Sequence, residues 1–268
     1  MMTSIEQQIQ QSTRGDAQFS VPRPPVFDDS IAEQTYLKQR LAAAFRVFAL
    51  HGFDEGLAGH ITVRDNIDPD TFWVNPLAIH FALIKASDLV RVDHQGNIVE
   101  GHHPINNAAF AIHSRIHQAR PDVNAIAHAH TTYGRAFSAL GQQLQPISQD
   151  ACAFYNNHAL LDTFTGVVAQ LSEGDMIATA LADHCAVILQ NHGLLTVASS
   201  VDAACAIFCS MERCCQSQLL AQAAGPLKLV DHQTALHTRQ VNASTIVTWG
   251  NFQPLYQQVL AQDASFLT

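Results

Sequence analysis

Three histidines in this chain of 268 residues could hold one divalent metal ion. His128 and His130 stand two apart in a stretch that alternates as a β-strand does, so both side chains point to one face. With a rise of about 3.3 Å per residue, their Cβ atoms are about 6.6 Å apart, which lets each ring place a nitrogen about 2.1 Å from a shared ion. His192 follows a second apolar run and precedes a glycine, which indicates a strand end where the backbone turns. A third imidazole from that position would leave a coordination position open, as catalytic metal centres do.

The strands and helices that must carry these histidines follow from hydrophobic periodicity. Alternation predicts strands over residues 60–65, 72–75, 124–129, 185–190 and 194–198, and a hairpin of residues 89–93 and 97–100. Helical periodicity predicts helices over residues 106–118, 132–140, 173–183 and 201–224. A capping box at Ser30–Glu33 predicts the start of a further helix, which ends at Gly52. This mixed order predicts an α/β fold in which helices cover both faces of one sheet.

The composition of the chain divides it into two parts. Residues 1–29 are rich in Gln and Ser and end in a proline-rich stretch. Such a segment cannot form a core alone, so we expect an N-terminal arm that is flexible or packed at a subunit interface. Residues 30–268 are expected to form one domain, because a chain with 47% hydrophobic residues can bury one sizeable core.

Composition also argues against several classes of partner. The formal net charge of −9 and the low share of charged residues, 14%, disfavour binding to nucleic acid or to an anionic membrane surface. The sequence contains no apolar run long enough to span a bilayer, and its N-terminus lacks the basic and apolar regions of a secretory signal. We therefore expect a cytoplasmic location, in which the six cysteines would be reduced thiols.

Several motifs of this chain, in order, resemble the class II aldolase/adducin family and in particular its adducin-like branch. They lie at residues 48–65, 104–113, 120–130, 189–195 and 211–219. The resemblance implies an α/β/α three-layer sandwich around a central mixed, largely antiparallel sheet. It also implies that His128, His130 and His192 hold one divalent transition metal, Zn first, with Fe, Mn, Ni or Co as alternatives. A homotetramer with active sites at its interfaces, acting on a small molecule, is the assembly that the resemblance implies.

Around the metal ligands the chain departs from the sugar-phosphate aldolases of this family. The position of their acid/base glutamate is Ala109 here. The residues that match their phosphate-binding pairs are Gly59–His60, Leu77–Ala78 and Asn107–Ala108. Only the first glycine of those pairs is retained, so a sugar phosphate is a poor fit. Gly59 and Asn107 are expected to contact a different substrate.

Two residues are expected to act in catalysis. His60 takes the place of a substrate-binding asparagine after Gly59, and its imidazole could bind a carboxylate or move protons near neutral pH; a purely structural role stays open. Gln149 stands near the position at which the family supplies a tyrosine proton donor from the neighbouring subunit. His113 and His117 have the spacing of a zinc-protease helix but no glutamate between them, so we expect a solvated or packed helix face.

These features predict a metal-dependent carbon–carbon lyase, of aldolase or decarboxylase type, that acts on a small oxygenated carboxylic acid or carbonyl compound. A divalent ion on three neutral imidazoles keeps its full double charge, so it would be a strong Lewis acid. The family resemblance leaves two alternatives open. One is an Fe(II)-dependent oxygenase that cleaves aromatic 2-oxo or 2-hydroxy acids, and the other is a non-enzymatic, adducin-like interaction domain.

Overall fold

Eight β-strands form one mixed sheet in the computed structural model, which describes residues 5–7, 23–167 and 170–268. The strands are β1 (His60–Arg64), β2 (Thr71–Val74), β3 (Val90–Asp93), β4 (Ile98–Glu100), β5 (Ala125–Ala129), β6 (His158–Leu161), β7 (Ala186–Leu189) and β8 (Gly193–Ala198). Their spatial order is β4-β3-β2-β1-β5-β8-β7-β6. Every neighbouring pair is antiparallel except β6 and β7, which are parallel.

Helices cover both faces of this sheet. Within the described ranges they are α1 (Ser30–Leu50), α2 (Asn107–Ala119), α3 (Thr132–Ser138), α4 (Leu171–Leu181), α5 (Val201–Ala224), α6 (His232–Asn242) and α7 (Thr245–Gln262). Apolar residues of α1, α5 and α7 share one buried cluster with Ala125, Ala127 and Ala129 of β5. Residues of α2 and α4 share another cluster with Ile126 of the same strand. Because alternate residues of a strand face opposite sides, this division confirms the three-layer α/β/α sandwich.

The predicted elements match the structure over most of the chain. All seven predicted strands and all five predicted helices are present, with ends that differ by a few residues, while β6, α6 and α7 were not predicted. The predicted cap of α1 is wrong by one residue. Asp29 has extended backbone angles and its side chain accepts a hydrogen bond from the amide of Ile31 at 3.0 Å, so Asp29 is the N-cap and Ser30 is the first helical residue.

The predicted N-terminal arm lies mostly outside the described residues. Next to the domain, Arg23 forms an ion pair with Glu6 at 2.7 Å, and the Phe27 ring lies 5.1 Å from that of Tyr36 on α1. Phe27 and Asp29 of the arm therefore contact α1, while Arg23 pairs with another residue of the arm. The boundary between arm and domain stays a prediction. In the described part of the chain, no helix combines the length and the apolar character that crossing a membrane requires.

The contact between α2 and α4 provides a test of the packing on one face. A methyl group on Gly174 of α4 would lie 2.0 Å from the carbonyl oxygen of Ala111 on α2. We expect Gly174→Ala to lower the free energy of unfolding by about 1–3 kcal/mol, because the two helices must move apart. In the matched control, Gly250→Ala in α7, the new methyl group meets no atom within 4 Å, so helix propensity should leave stability equal or slightly higher. Urea unfolding followed by circular dichroism measures both, and equal midpoints would contradict this packing.

Candidate metal centre

The imidazoles of His128, His130 and His192 meet at one end of the sheet. Each offers one ring nitrogen, and these three atoms all lie within 4.8 Å of one another. His128 belongs to β5, His130 follows the last residue of that strand, and His192 lies in the turn between β7 and β8. Because β8 runs antiparallel beside β5, the turn that precedes β8 reaches the end of β5. The structure thus brings the three predicted ligands together; metal binding itself stays a prediction.

The turn that carries His192 depends on its neighbours. Asn191 has a φ of 56°, in the left-handed region that asparagine tolerates better than most residues. A side chain on Gly193 would place its Cβ 3.1 Å from the carbonyl oxygen of Ala129. Glycine at this position therefore lets the turn approach β5 closely enough for the ring of His192 to lie 4.8 Å from the ring of His128.

Burial keeps the three imidazoles in the form that binds metal. Burial lowers the pKa of His128 well below its usual range, and it lowers the pKa of His192 to about 4, with a further contribution from nearby His130. Burial likewise lowers the pKa of His130. Nδ1 of His128 donates a hydrogen bond to the carbonyl oxygen of Leu194 at 2.8 Å, so Nε2 of this neutral ring is unprotonated. Three neutral imidazoles are a suitable donor set for a divalent transition metal.

A buried carboxylate holds the segment that follows His130. Glu212 on α5 accepts hydrogen bonds from the Thr131 hydroxyl at 2.5 Å, from the Tyr133 amide at 2.9 Å and from the Gly134 amide at 2.7 Å. These amides belong to the first turn of α3, where a negative charge is favourable. Glu212 therefore caps α3 from another helix and fixes the backbone beside the second predicted ligand.

A cavity of about 270 Å³ opens beside the three histidines. Its other polar lining residues are His60, Asn106, Arg135 and Asn191, and its apolar lining includes Ala58, Ala108, Ile112, Phe164 and Val167.

Arg135 forms an ion pair with Glu55 at 2.7 Å, and both side chains are 45% exposed. A pair this exposed contributes little to stability, so the guanidinium can exchange its partner for an anionic ligand. The cavity thus offers one cation and an apolar wall beside the candidate metal centre.

Two further predicted residues line this cavity. Gly59 has a φ of +100°, and a Cβ there would lie 3.2 Å from the carbonyl oxygen of His128. A glycine at this position therefore allows β1 to begin close against β5. His60 pairs with His128 across β1 and β5, its ring lies 4.9 Å from that of His128, and only 3% of the residue is exposed.

The other two predicted residues lie away from the cavity in this chain. Asn107 is exposed at the first residue of α2, while its neighbours Asn106 and Ala108 line the cavity, because successive helical residues point in different directions. Asn106 is the N-cap of α2, with its side chain accepting from the Ala108 amide at 2.9 Å. Gln149 is exposed, and its carbonyl oxygen accepts a hydrogen bond from Asn242 at the end of α6. Its predicted catalytic role requires a second subunit.

The histidines of α2 are buried rather than solvated. His113 and His117 are both almost fully inaccessible and belong to a hydrogen-bonded network with His60 and Thr62. Of the two environments expected for them, the packed one is correct. Ala109, which the sequence resemblance matches to the family's acid/base glutamate, is buried in an apolar cluster with residues of β2 and β3. The sequence signal that could have revealed the network is the alternation of His60 and Thr62 on the strand that lies against α2.

Metal content provides the direct test of the three ligands. We expect the purified protein to hold close to one transition-metal ion per chain, and His128→Ala or His192→Ala to lose most of it, because two imidazoles hold an ion far less tightly than three. His237→Ala, an exposed histidine on α6, is the matched control and should retain the metal. Elemental analysis by mass spectrometry measures the occupancy. Full occupancy in both ligand variants would contradict the assignment.

Comparisons with known proteins place this geometry in a family. The family model of the Class II Aldolase and Adducin N-terminal domain matches residues 39–219. The chain is 47% identical over 248 residues to Decarboxylase NovR of Streptomyces niveus, covering 92% of each. It is also 47% identical over 242 residues to a protein of Streptomyces roseochromogenus subsp. oscitans named 4-hydroxy-3-prenylphenylpyruvate oxygenase/4-hydroxy-3-prenylbenzoate synthase, covering 90% of this chain and 87% of that protein.

A solved structure leads to the same family. The structure named L-fuculose 1-phosphate aldolase from Glaciozyma antarctica PI12 superposes with a TM-score of 0.85 and 43% identity, over 90% of this chain and 95% of that one. The family model matches more than half of the chain, and the two relatives match nearly all of it. This chain belongs to the class II aldolase/adducin family.

Proposed function

We propose that this protein is a metal-dependent carbon–carbon lyase that acts on a 2-oxo or 2-hydroxy acid with an apolar body. The observation that most directly supports this proposal is the cavity, in which three neutral imidazoles lie beside one guanidinium and an apolar wall. His128, His130 and His192 would hold Zn, or alternatively Fe, Mn, Ni or Co. When bound, such an ion supplies Lewis acidity toward the oxygens of the substrate. NovR, a relative at 47% identity, is named a decarboxylase, which supports this class of reaction.

Each part of the cavity has a role in this proposal. Arg135 would bind the substrate carboxylate, because its guanidinium is accessible and its present partner, Glu55, is at the surface. Ile112 and Phe164 would contact the apolar body of the substrate. His60 would orient a substrate oxygen or move a proton. The position of the family's acid/base glutamate is the buried methyl group of Ala109, so decarboxylation, which releases carbon dioxide without removal of a hydroxyl proton, fits better than retro-aldol cleavage.

A sugar phosphate is a poor substrate for this cavity. The residues at the family's phosphate-binding positions include Leu77, Ala78 and Ala108, none of which has a side-chain donor. Each lost hydrogen bond to a charged group costs about 1.5–3 kcal/mol. Ala78 stands at the glycine of one of the family's phosphate-binding pairs. Its φ of 65° is a left-handed conformation that glycine adopts more readily than alanine. The Glaciozyma relative is named for fuculose phosphate, so this sugar phosphate belongs in any substrate panel.

An Fe(II)-dependent oxygenase is the second candidate function. The observation that favours it is the relative of 47% identity that is named an oxygenase of a prenylphenylpyruvate. That name describes an aromatic 2-oxo acid, which also fits the apolar wall formed by Ile112 and Phe164. Both candidate reactions would use the same three ligands. A purely adducin-like binding role is less well supported, because all three ligands and the cavity are retained.

One experiment separates these functions. The metal-loaded protein is incubated with 2-oxo acids, 2-hydroxy acids and fuculose 1-phosphate, with and without oxygen. We expect anaerobic cleavage of an acid with an apolar body, no efficient turnover of the sugar phosphate, and an increase of about tenfold or more in KM for Arg135→Gln, from loss of a charged hydrogen bond. Turnover that requires Fe(II) and consumes oxygen stoichiometrically would establish the oxygenase instead. No turnover by metal-loaded protein would favour the binding role.

We also propose that the protein is a homotetramer whose active sites lie at subunit interfaces. This assembly would allow Gln149, which is exposed and outside the cavity of its own chain, to contact the cavity of a neighbour. Light scattering coupled to gel filtration should give about four times the chain mass of 29.2 kDa at micromolar concentration. Gln149→Ala should then lower kcat without altering metal content. A monomer mass would exclude a shared site.

A further inference from the structure

A chain of hydrogen bonds runs from the cavity into the layer between β1 and α2. Nδ1 of His60 lies 2.7 Å from Nε2 of His113, and Nδ1 of His113 lies 2.8 Å from the hydroxyl of Thr62. That hydroxyl lies 3.0 Å from Nε2 of His117, whose Nδ1 lies 3.4 Å from the carbonyl oxygen of Val123. The four side chains are at most 3% exposed, so water cannot replace these partners.

The far end of this chain sets the direction of every bond in it. The Val123 carbonyl can only accept, so Nδ1 of His117 carries a proton and donates. Burial, with the nearby Arg64 guanidinium, lowers the pKa of His117 to about 3, so at neutral pH the ring is uncharged and Nε2 carries no proton. The Thr62 hydroxyl must then donate to this nitrogen.

The remaining bonds follow from the single proton of a hydroxyl group. Because the hydrogen of Thr62 points to His117, its oxygen accepts from Nδ1 of His113. The pKa of His113 lies well below its usual range because of burial and the nearby His117, so the ring is neutral and its Nε2 is an acceptor. The donor for that acceptor is Nδ1 of His60. Reversing the order would turn an unprotonated Nδ1 of His117 toward the Val123 carbonyl, two acceptors facing each other.

We infer that Thr62, His113 and His117 are positioning residues that hold His60 as the tautomer protonated at Nδ1, with an unprotonated Nε2 left for the cavity. His60 lines the cavity beside the three candidate ligands, and no hydrogen bond to Nε2 is present among the described residues. A nitrogen of this kind accepts a hydrogen bond or a proton and cannot donate one. His60 would therefore accept a hydrogen bond from a substrate hydroxyl, such as that of a 2-hydroxy acid or of the enol form of a 2-oxo acid, and so orient it.

This assignment gives the cavity a hydrogen-bond acceptor that is independent of position 109, where the chain has alanine. The family resemblance implies an acid/base glutamate at that position, whereas α2 here contributes His113, one turn further along, which sets the tautomer of His60 on β1. The tautomer itself follows from the hydrogen bonds together with the neutral state of the buried His113 and His117 rings. Only the identity of the group that donates to His60 rests on the proposed function.

Neutron diffraction from crystals of the full chain, exchanged into deuterated buffer near neutral pH, tests the tautomer directly. We expect deuterium on Nδ1 of His60, on Nδ1 of His113 and on Nδ1 of His117, and none on Nε2 of His60. Deuterium on Nε2 of His60 with none on Nδ1 would overturn the inference. This measurement needs no substrate, so it stands even if the proposed reaction is absent.

Variants of Thr62 test the consequence for catalysis. Thr62→Val keeps the shape but removes the hydroxyl, so the direction of the chain is no longer fixed. We expect kcat to fall by about a hundredfold, as when a catalytic histidine is held in the wrong tautomer or loses its orientation, while KM and metal content change by less than about threefold. Thr62→Ser keeps the hydroxyl and should restore kcat to within about threefold. Unchanged kcat in a folded Thr62→Val protein, or a loss that serine does not rescue, would contradict the positioning role.

Discussion

The antiparallel pairing of β5 with β1 on one side and β8 on the other is the constraint on which the site depends. It places His60 opposite His128, with rings 4.9 Å apart, close to the usual distance between neighbouring strands. On the other side it brings the turn before β8 to the end of β5, which delivers His192. The strands therefore determine the site geometry, and helices α2 and α5 support it through His113 and Glu212.

Burial of the imidazole rings also determines the charge of the site. Buried imidazoles favour the neutral form, and here burial is the largest cause of the lowered pKa of every ring in the network and among the candidate ligands. Such polar groups are costly in a core unless they are hydrogen-bonded. The four fully buried rings are hydrogen-bonded to one another, to a threonine or to backbone carbonyls, and three of them lie between the sheet and α2.

Much of the fold was predictable because strands and helices with one buried face carry a periodic signal. β6 was missed because His158–Leu161 is only four residues long and does not alternate, and its parallel pairing with β7 depends on the crossover through α4. The last two helices were missed for other reasons: in α6 only Ala235 is buried, and α7 contains Pro254. The three candidate ligands, which the structure brings together, could be identified from their spacing and flanking residues. Glu212 and Arg135 could not, because their roles arise from contacts between elements distant in sequence.

The distance along the chain between the three candidate ligands would determine when a metal ion could first be bound during folding. His128 and His130 are neighbours, but His192 is about 60 residues further along and reaches them only after β8 has paired with β5. Closing a loop of that length has an entropic cost that the sheet must offset before three ligands exist. A metal ion therefore cannot nucleate this fold as it does in small zinc domains. The polypeptide would have to reach its native topology first, and metal uptake would then be a late event that distinguishes folded chains from unfolded ones.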